Sequence, residues 1–388
     1  MQYSHSKLII NLKNIKNNLN IIKKFSKNTI CPVIKATAYG LGDVEIAKFL
    51  IKNKCKDFWV ANISEALKIN KNISNINIYV ANGLNKNEEK IFFQNKFIPV
   101  LNTYEQFQKW TNYLIQKKLP NKLVIQVDTG MCRSGMQHED ILKIYNKRSI
   151  IKKFKEVIIL THLASADEKN SQYNVVQKNR FLKIQSMFNY PNCKFSLAAS
   201  GGIFLGKDYH FDMVRPGIAL YGGKLFFNKQ LKNVVSLVSP IIQINRLKKG
   251  ETAGYNQSYK ANKNIVTATI PLGYADGVKI KISNIGYVFY KDIKLPMIGR
   301  ISMDLMIVDV TKVKNKIKIG DHLEVFGKNL NLDGFARVSQ TSPYDIINIT
   351  FIFVWVAWIK FSFVICHINI FAHIVRGLNG DRNTYQSK

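Results

Sequence analysis

A chain of 388 residues with 46% hydrophobic and 11% aromatic content has the composition of a folded globular protein, with room for a barrel of about 250 residues and a smaller second unit. Its formal charge of +32 comes from lysines scattered among Asn and Ile, as in Asn11-Leu-Lys-Asn-Ile-Lys-Asn-Asn-Leu19, not from a basic face, so nucleic-acid binding is not expected. Cys31, Cys55, Cys132, Cys193 and Cys366 are odd in number and widely spaced, with no CxxC and no His at ligand spacing, which argues against a disulfide framework and against a metal site.

At the N-terminus, Leu8-Ile9-Ile10 turns at once to Asn and Lys, without the apolar core of a secretory signal, and a cytoplasmic location is the default expectation. Ile15, Leu19, Ile22 and Phe25 recur at spacings of three and four, which predicts a helix with one face on a core. Candidate strands follow at 30–35, 58–61, 78–81, 97–101, 123–127, 157–161, 195–198 and 213–220, with helical patterns such as 43–52 and 175–188 between them. Apolar runs alternating with helices predict a parallel sheet. About eight such units over roughly 220 residues favour a closed (β/α)8 barrel over an open sheet.

Beyond about residue 225 the pattern changes. The runs 241–247, 265–270, 287–290, 306–310 and 322–326 are β-rich and punctuated by Gly, Asp and Asn, with no helical pattern between them, which predicts a separate, mainly β domain. The expected organisation is therefore an α/β chain: a (β/α)8 barrel domain over 1–225, a C-terminal mainly β domain over 226–350, and an atypical apolar tail over 351–388. The tail is dense in Phe, Ile, Val and Trp but interrupted by Lys360, His367, Asn369 and His373. A lysine in mid-segment costs roughly 3 kcal/mol on insertion scales, so no membrane span is expected.

In a (β/α)8 barrel, chemistry sits where strands end and loops begin. Lys35 closes the run Cys31-Pro-Val-Ile34 and precedes Ala-Thr-Ala-Tyr39-Gly-Leu-Gly42. Two readings stay open on spacing alone. A partly desolvated lysine has a lowered pKa and suits a Schiff base; alternatively, the side chain snorkels out of a strand end. His162, after Ile158-Ile-Leu-Thr161, reads singly as a satisfied core histidine, Tyr255 as an interface tyrosine, and Gly201-Gly202 as a turn.

Taken together, these segments are more specific. Val33-Ile-Lys-Ala-Thr-Ala-Tyr-Gly40 resembles the cofactor-lysine signature of the alanine racemases, with Thr37 where Asn is more usual. Further blocks stand in that family's order: Asp128-Thr-Gly-Met-Cys-Arg133-Ser-Gly135, Thr161-His162-Leu-Ala-Ser-Ala-Asp167, Arg215-Pro-Gly-Ile218 leading to Tyr221-Gly222, Gly254-Tyr255, Pro271-Leu-Gly-Tyr274-Ala-Asp-Gly277 and Gly299-Arg-Ile-Ser-Met303-Asp304. The resemblance runs from about residue 8 to about residue 347.

It implies a racemase dependent on pyridoxal 5'-phosphate that interconverts L- and D-alanine, supplying D-alanine for cell-wall peptidoglycan. It also implies a head-to-tail homodimer whose sites take residues from both subunits. Lys35 would carry the cofactor and act as the base on one face of the substrate Cα, and Tyr255 would act on the opposite face. Arg215 would face the pyridine nitrogen, oriented by His162. Ser200, Gly217 and Ile218 would cradle the phosphate, with Tyr39 closing it. Arg133 and the backbone N–H of Met303 would hold the substrate carboxylate, and Asp167, Tyr274, Arg300 and Asp304 would form a narrow entrance.

The sequence departs from the family pattern in places. Gln126 stands where many relatives place a lysine that braces the equivalent of Arg133, and Ala199 replaces a usual Asn. After residue 350 the family's final strand gives way to Phe351-Ile-Phe-Val-Trp-Val-Ala-Trp358, an ending that a shifted reading frame or terminal rearrangement would explain. That ending makes a catalytically impaired relic the alternative to an active enzyme. A racemase of another small amino acid such as serine is a further alternative.

Overall fold

The structure, a computed structural model, describes residues 6–119, 121–224 and 230–349; the tail expected at 351–388 lies outside them. The first helix, Leu12–Phe25, is capped by Asn11, whose side chain accepts the N–H of Asn14 at 3.0 Å. Ile15, Leu19 and Ile22 are buried along it, as their spacing predicts. Asn18 shares that buried face and is fully used. Its amide donates to the carbonyls of Leu220 (3.2 Å) and Lys232 (2.9 Å) and accepts the N–H of Lys232 (2.7 Å), which pins the helix to the far end of the barrel sequence.

Strands Asp57–Val60, Asn77–Val80, Ile98–Leu101, Lys122–Gln126, Glu156–Leu160 and Cys193–Ser196 pair in parallel in that order. Thr29–Ile30 pairs in parallel with Met213–Val214. Bridges between Val33 and Trp59 and between Ala199 and Arg215 join the two sheets on both sides, so the parallel strands close into a ring, the expected (β/α)8 barrel. Its strand residues are buried on both faces, as in Ile98–Leu101, which is why they read as continuous apolar runs.

Two of the expected strands are shorter than their apolar runs. The run at 213–220 leaves the sheet after Pro216, whose carbonyl still accepts the N–H of Val33 at 2.8 Å but which has no N–H to give to a ladder. Residues 217–221 then turn, with the N–H of Leu220 on the carbonyl of Gly217 at 2.9 Å. The run at 30–35 is pulled out of the sheet by the turn Lys35–Tyr39.

The second region is the expected mainly β unit. One antiparallel sheet runs in the order Lys7–Ile10, Val235–Pro240, His322–Phe326, Tyr287–Tyr290, Ile293–Ile298, Met306–Asp309, Ile265–Ile270 and Gln243–Leu247. The N-terminal strand thus lies at this sheet's edge, not in the barrel. Ile293–Ile298 was not expected as a strand, since Lys294 and Pro296 break its apolar run; both side chains are exposed on its outer face. Two helices follow, Leu332–Val338 and Pro343–Ile349. The second returns the chain to the barrel, where the Tyr344 ring lies 6.3 Å from that of Tyr39. Among the described residues no helix is long and apolar enough to cross a membrane.

Candidate active site

A cavity of about 610 Å³ opens where the barrel strands end, lined among others by Lys35, Trp59, Asn82, Arg133, His162, Ser200 and Arg215. Each stands near or beyond the C-terminal end of a different strand, so the ring of the barrel brings together residues up to 180 positions apart.

Lys35 opens a turn of unusual hand. Ala36, Thr37, Ala38 and Tyr39 have φ of 51°, 55°, 54° and 58°, a left-handed helical turn that disfavours residues with a Cβ by roughly 1–2 kcal/mol each. Local hydrogen bonds hold it: the N–H of Ala38 reaches the carbonyl of Ile34 (2.9 Å), and that of Gly40 the carbonyl of Ala36 (2.8 Å). Glu65, on the helix Ile63–Asn72, clamps it from the side. One carboxylate oxygen accepts the N–H of Ala36 at 2.8 Å and the other that of Ala61 at 2.7 Å. The side chain of Lys35 stands exposed in the cavity. Partial burial, then the Arg133 guanidinium, lowers its pKa from the ordinary lysine value, with Glu65 opposing.

Arg215 is 3% exposed and is held from beneath. It donates to the carbonyls of Thr161 (2.6 Å) and Leu197 (3.3 Å) and to the Ser196 hydroxyl, and its guanidinium lies 5.4 Å from the centre of the Trp59 ring. Thr161, Ser196 and Leu197 thus fix the orientation of Arg215 from within the barrel. Burial lowers its pKa to about 10, which leaves it cationic at neutrality. Among the described residues no carboxylate forms an ion pair with it. His162 has its pKa pushed down to about 3, by burial and then by Arg215, Arg133 and Lys35. It is a neutral imidazole among cations.

Ser200 is buried, and its hydroxyl accepts the N–H groups of Gly217 (2.9 Å) and Ala219 (3.2 Å). A Cβ on Gly217 would stand 2.2 Å from the Tyr39 hydroxyl, so only glycine permits this approach. Ile218 is fully buried and does not line the cavity, whereas Gly217 does. Tyr39 packs at 5.1 Å against the ring of Tyr221, and burial raises its hydroxyl pKa.

Arg133 rides on a loop built around Asp128, whose Oδ1 accepts the N–H groups of Gly130 (2.8 Å), Met131 (2.9 Å) and Cys132 (3.2 Å). Burial would raise the carboxyl pKa of Asp128, but these donors hold it below its ordinary value. Gln126 donates to the carbonyl of Ser134 at 3.0 Å, bracing the backbone beside Arg133. Asp167 lines the same cavity, its pKa raised by burial and then by Glu168.

The remaining expected site residues lie elsewhere. Tyr255, Met303, Tyr274, Arg300 and Asp304 do not line this cavity. They gather on the β domain, where Tyr255 is 63% and Met303 53% exposed. Backbone contacts join their segments: the N–H of Tyr274 reaches the carbonyl of Ser302 (3.0 Å), that of Ala275 the carbonyl of Met303 (3.0 Å), and that of Arg300 the hydroxyl of Ser258 (2.7 Å). A Cβ on Gly254 would stand 2.5 Å from the N of Arg300. One chain therefore carries two separate clusters, a cavity and an exposed patch.

Glu65, Trp59 and Tyr344 were not singled out from the sequence. Asn62 caps the helix Ile63–Asn72 and is followed three residues later by Glu65, the capping-box spacing, which marks the helix start but not the reach to Ala36. Tyr344 lines the cavity, with its hydroxyl pKa raised by burial, then by Asp167 and Tyr39; no local pattern signals a contact over 300 residues.

Known proteins share this arrangement. The sequence model of the alanine racemase N-terminal domain matches residues 10–224, and that of the alanine racemase C-terminal domain matches residues 234–350. The chain is 37% identical over 343 residues to the alanine racemase of Rickettsia canadensis (strain McKiel), covering 88% of this chain and 95% of that one. It is 38% identical over 332 residues to that of Rickettsia bellii (strain RML369-C), covering 83% and 80%. The crystal structure of alanine racemase from Bartonella henselae with covalently bound pyridoxal phosphate superposes with a TM-score of 0.84 at 34% identity, covering 90% of this chain and 98% of that one. Alanine racemase from Acinetobacter baumannii gives 0.81 at 27% identity, covering 89% and 97%.

Proposed function

This chain belongs to the alanine racemase family, an isomerase family, and on that premise we propose that it interconverts L- and D-alanine using pyridoxal 5'-phosphate held at Lys35. The observation that carries this reading is the convergence of Lys35, Arg133, His162, Ser200 and Arg215 on one cavity. The cavity suits the cofactor's chemistry. Lys35 has the lowered pKa that makes an amine available. Ser200, whose hydroxyl accepts the N–H groups of Gly217 and Ala219 and so turns its own proton toward the cavity, stands where a phosphate needs a donor. Arg215, buried without a carboxylate, has need of an acceptor from the cavity side. When bound, the cofactor would supply the electron-withdrawing ring that acidifies the substrate α-hydrogen.

The residues then divide the work. Lys35 takes or returns the proton on the face of the Cα that it borders. Tyr255 of a second copy serves the opposite face, so the proton is exchanged without turning the substrate over. Arg133 and the Met303 backbone N–H hold the carboxylate through charge-assisted hydrogen bonds. Arg215 keeps its proton at neutrality and gives none to the atom it faces, which limits side reactions such as transamination. Tyr39 closes the cradle formed by Ser200, Gly217 and Ile218, while Asp167 narrows the entrance with Tyr274, Arg300 and Asp304.

The exposed patch supports a homodimer in which each β domain completes the other copy's cavity. We assign the barrel domain to 1–225, the β domain to 226–350 and the atypical tail to 351–388, and place the enzyme in the cytoplasm, supplying D-alanine for peptidoglycan. The purified chain should gain the absorbance of a cofactor–lysine linkage when mixed with pyridoxal 5'-phosphate, and Lys35→Ala should lose it. Alanine should exchange its α-hydrogen with deuterated solvent, read by NMR. An impaired enzyme, which the unusual ending after residue 350 favours as the second reading, would show the absorbance without the exchange; absence of both refutes the racemase reading.

A further inference from the structure

The helix Gln172–Met187 reverses the usual pattern of a barrel helix: Tyr173, Val175, Val176 and Leu182 are exposed, whereas Asn174 and Gln177 are buried. Burying an amide is unfavourable unless its hydrogen bonds are made. Gln177, with no exposed surface, makes three. Its Oε1 accepts the N–H of Ala164 at 2.8 Å, and its Nε2 donates to the carbonyl of His162 at 3.0 Å and to the hydroxyl of Thr129 at 3.2 Å. The Thr129 hydroxyl lies 2.9 Å from that of Thr161, whose carbonyl in turn receives Arg215 at 2.6 Å.

Other side chains of this helix work on one loop each. Arg180 donates to the carbonyl of Thr129 (3.0 Å) and Tyr173 to that of Gly130 (2.8 Å). Asn174 donates to the carbonyls of Ser165 and Glu168 (both 3.0 Å). Gln177 alone among them joins the loop 128–135, which carries Arg133, to the loop 161–168, which carries His162 and Asp167. It does not line the cavity.

Building on the racemase reading above, we propose that Gln177 is a positioning residue for the reaction: it sets the separation of these two loops, and thereby how tightly Arg133 holds the substrate carboxylate, without touching substrate or cofactor. A residue that served stability alone would alter the unfolding temperature and leave KM unmoved.

The test uses the full chain loaded with pyridoxal 5'-phosphate and compares Gln177→Glu and Thr129→Val with the unchanged protein. An ionised Glu keeps the acceptor but loses both donations; protonation, which burial favours, restores one. For Gln177→Glu at pH 8.5 we expect the KM for alanine to rise about tenfold, kcat to stay within about threefold, and the cofactor absorbance to be unchanged. Its KM excess over the unchanged protein should shrink as the pH is lowered toward about 6. Thr129→Val removes one hydroxyl at nearly constant shape and should raise KM about threefold, with no pH dependence of that excess. If Gln177→Glu does not fold, Thr129→Val decides. KM within about twofold of the unchanged protein in every folded variant overturns the proposal, as does a loss of kcat with KM unmoved. Failure of the unchanged chain to racemise alanine overturns the racemase reading and this proposal with it.

Discussion

The cavity of the barrel and the patch on the β domain are assembled by different means. On the barrel side, groups are buried and constrained: a left-handed turn behind Lys35, a cation at Arg215 without a carboxylate, and a histidine kept neutral by its neighbours. On the β side, Tyr255, Tyr274 and Met303 are exposed, and main-chain contacts together with the side chains of Ser258, Asp276 and Asn284 hold their segments together. A strained, desolvated constellation persists only where surrounding structure over-determines it, and one folded barrel can do that alone. An exposed tyrosine gains a defined environment only when another surface covers it. The first half can therefore be tested in one chain, whereas the second needs a pair.

That contrast is sharpest in a mixing experiment. Lys35→Ala and Tyr255→Phe should each lower racemisation by about 10²–10⁴-fold or more, yet only Lys35→Ala should lose the cofactor absorbance. Combined and allowed to exchange subunits, the two inactive proteins should regain about a quarter of the unchanged activity, because half of the dimers are mixed and each mixed dimer holds one intact site. Recovery near zero, with subunit exchange verified by mass spectrometry, would place Tyr255 and Lys35 of one chain in the same site and break the distinction between the two clusters.

A smaller effect is expected where the barrel side stores its strain. Glu65→Gln leaves one oxygen to accept where the carboxylate serves both Ala36 and Ala61. The loss should be about 1–3 kcal/mol of stability, with slower cofactor loading as the turn behind Lys35 loosens. On the β side the nearest equivalent is a single link, the Asp276 carboxylate that accepts the N–H of Gly273 at 2.9 Å. Denaturant unfolding of the cofactor-free chain measures the first quantity and the growth of absorbance the second; an unaltered midpoint would remove Glu65 from any role in holding the turn.

How much was legible in the sequence differs between the two sides for a physical reason. The ends of apolar runs point to Lys35 and His162, but their roles, and Ser200 and Arg215 altogether, come from the resemblance to the alanine racemases; a closed barrel then places all strand ends on one rim. The left-handed turn was not legible, because Ala36, Thr37, Ala38 and Tyr39 include no glycine to announce positive φ. Trp59 reads as one more apolar strand residue, although it lies under Arg215. Tyr344 reaches the cavity only through the packing of the second region against the first. On the β side, the family motifs marked Tyr255, Tyr274 and Met303, but exposure is a property of the folded surface that periodicity does not report. The strand Ile293–Ile298 escaped because its outward Lys294 and Pro296 interrupt the apolar run.

The last effect is absent at neutral pH and concerns acid. The pKa of His162 lies at about 3 in the folded chain, lowered by burial and then by Arg215, Arg133 and Lys35, against an ordinary value of 6.5. As the pH falls below about 6.5 the unfolded chain takes up a proton that the folded one refuses, so folded stability declines between about pH 6.5 and 3. His162→Asn, which cannot be protonated there, should flatten that decline while leaving stability near pH 8 within about 1 kcal/mol. Urea midpoints of the two proteins measured from pH 8 to pH 4 separate the outcomes. Parallel curves would mean that His162 gains its proton in the folded chain as readily as in the unfolded one, and that the cations around it are less closely gathered than their shared cavity indicates.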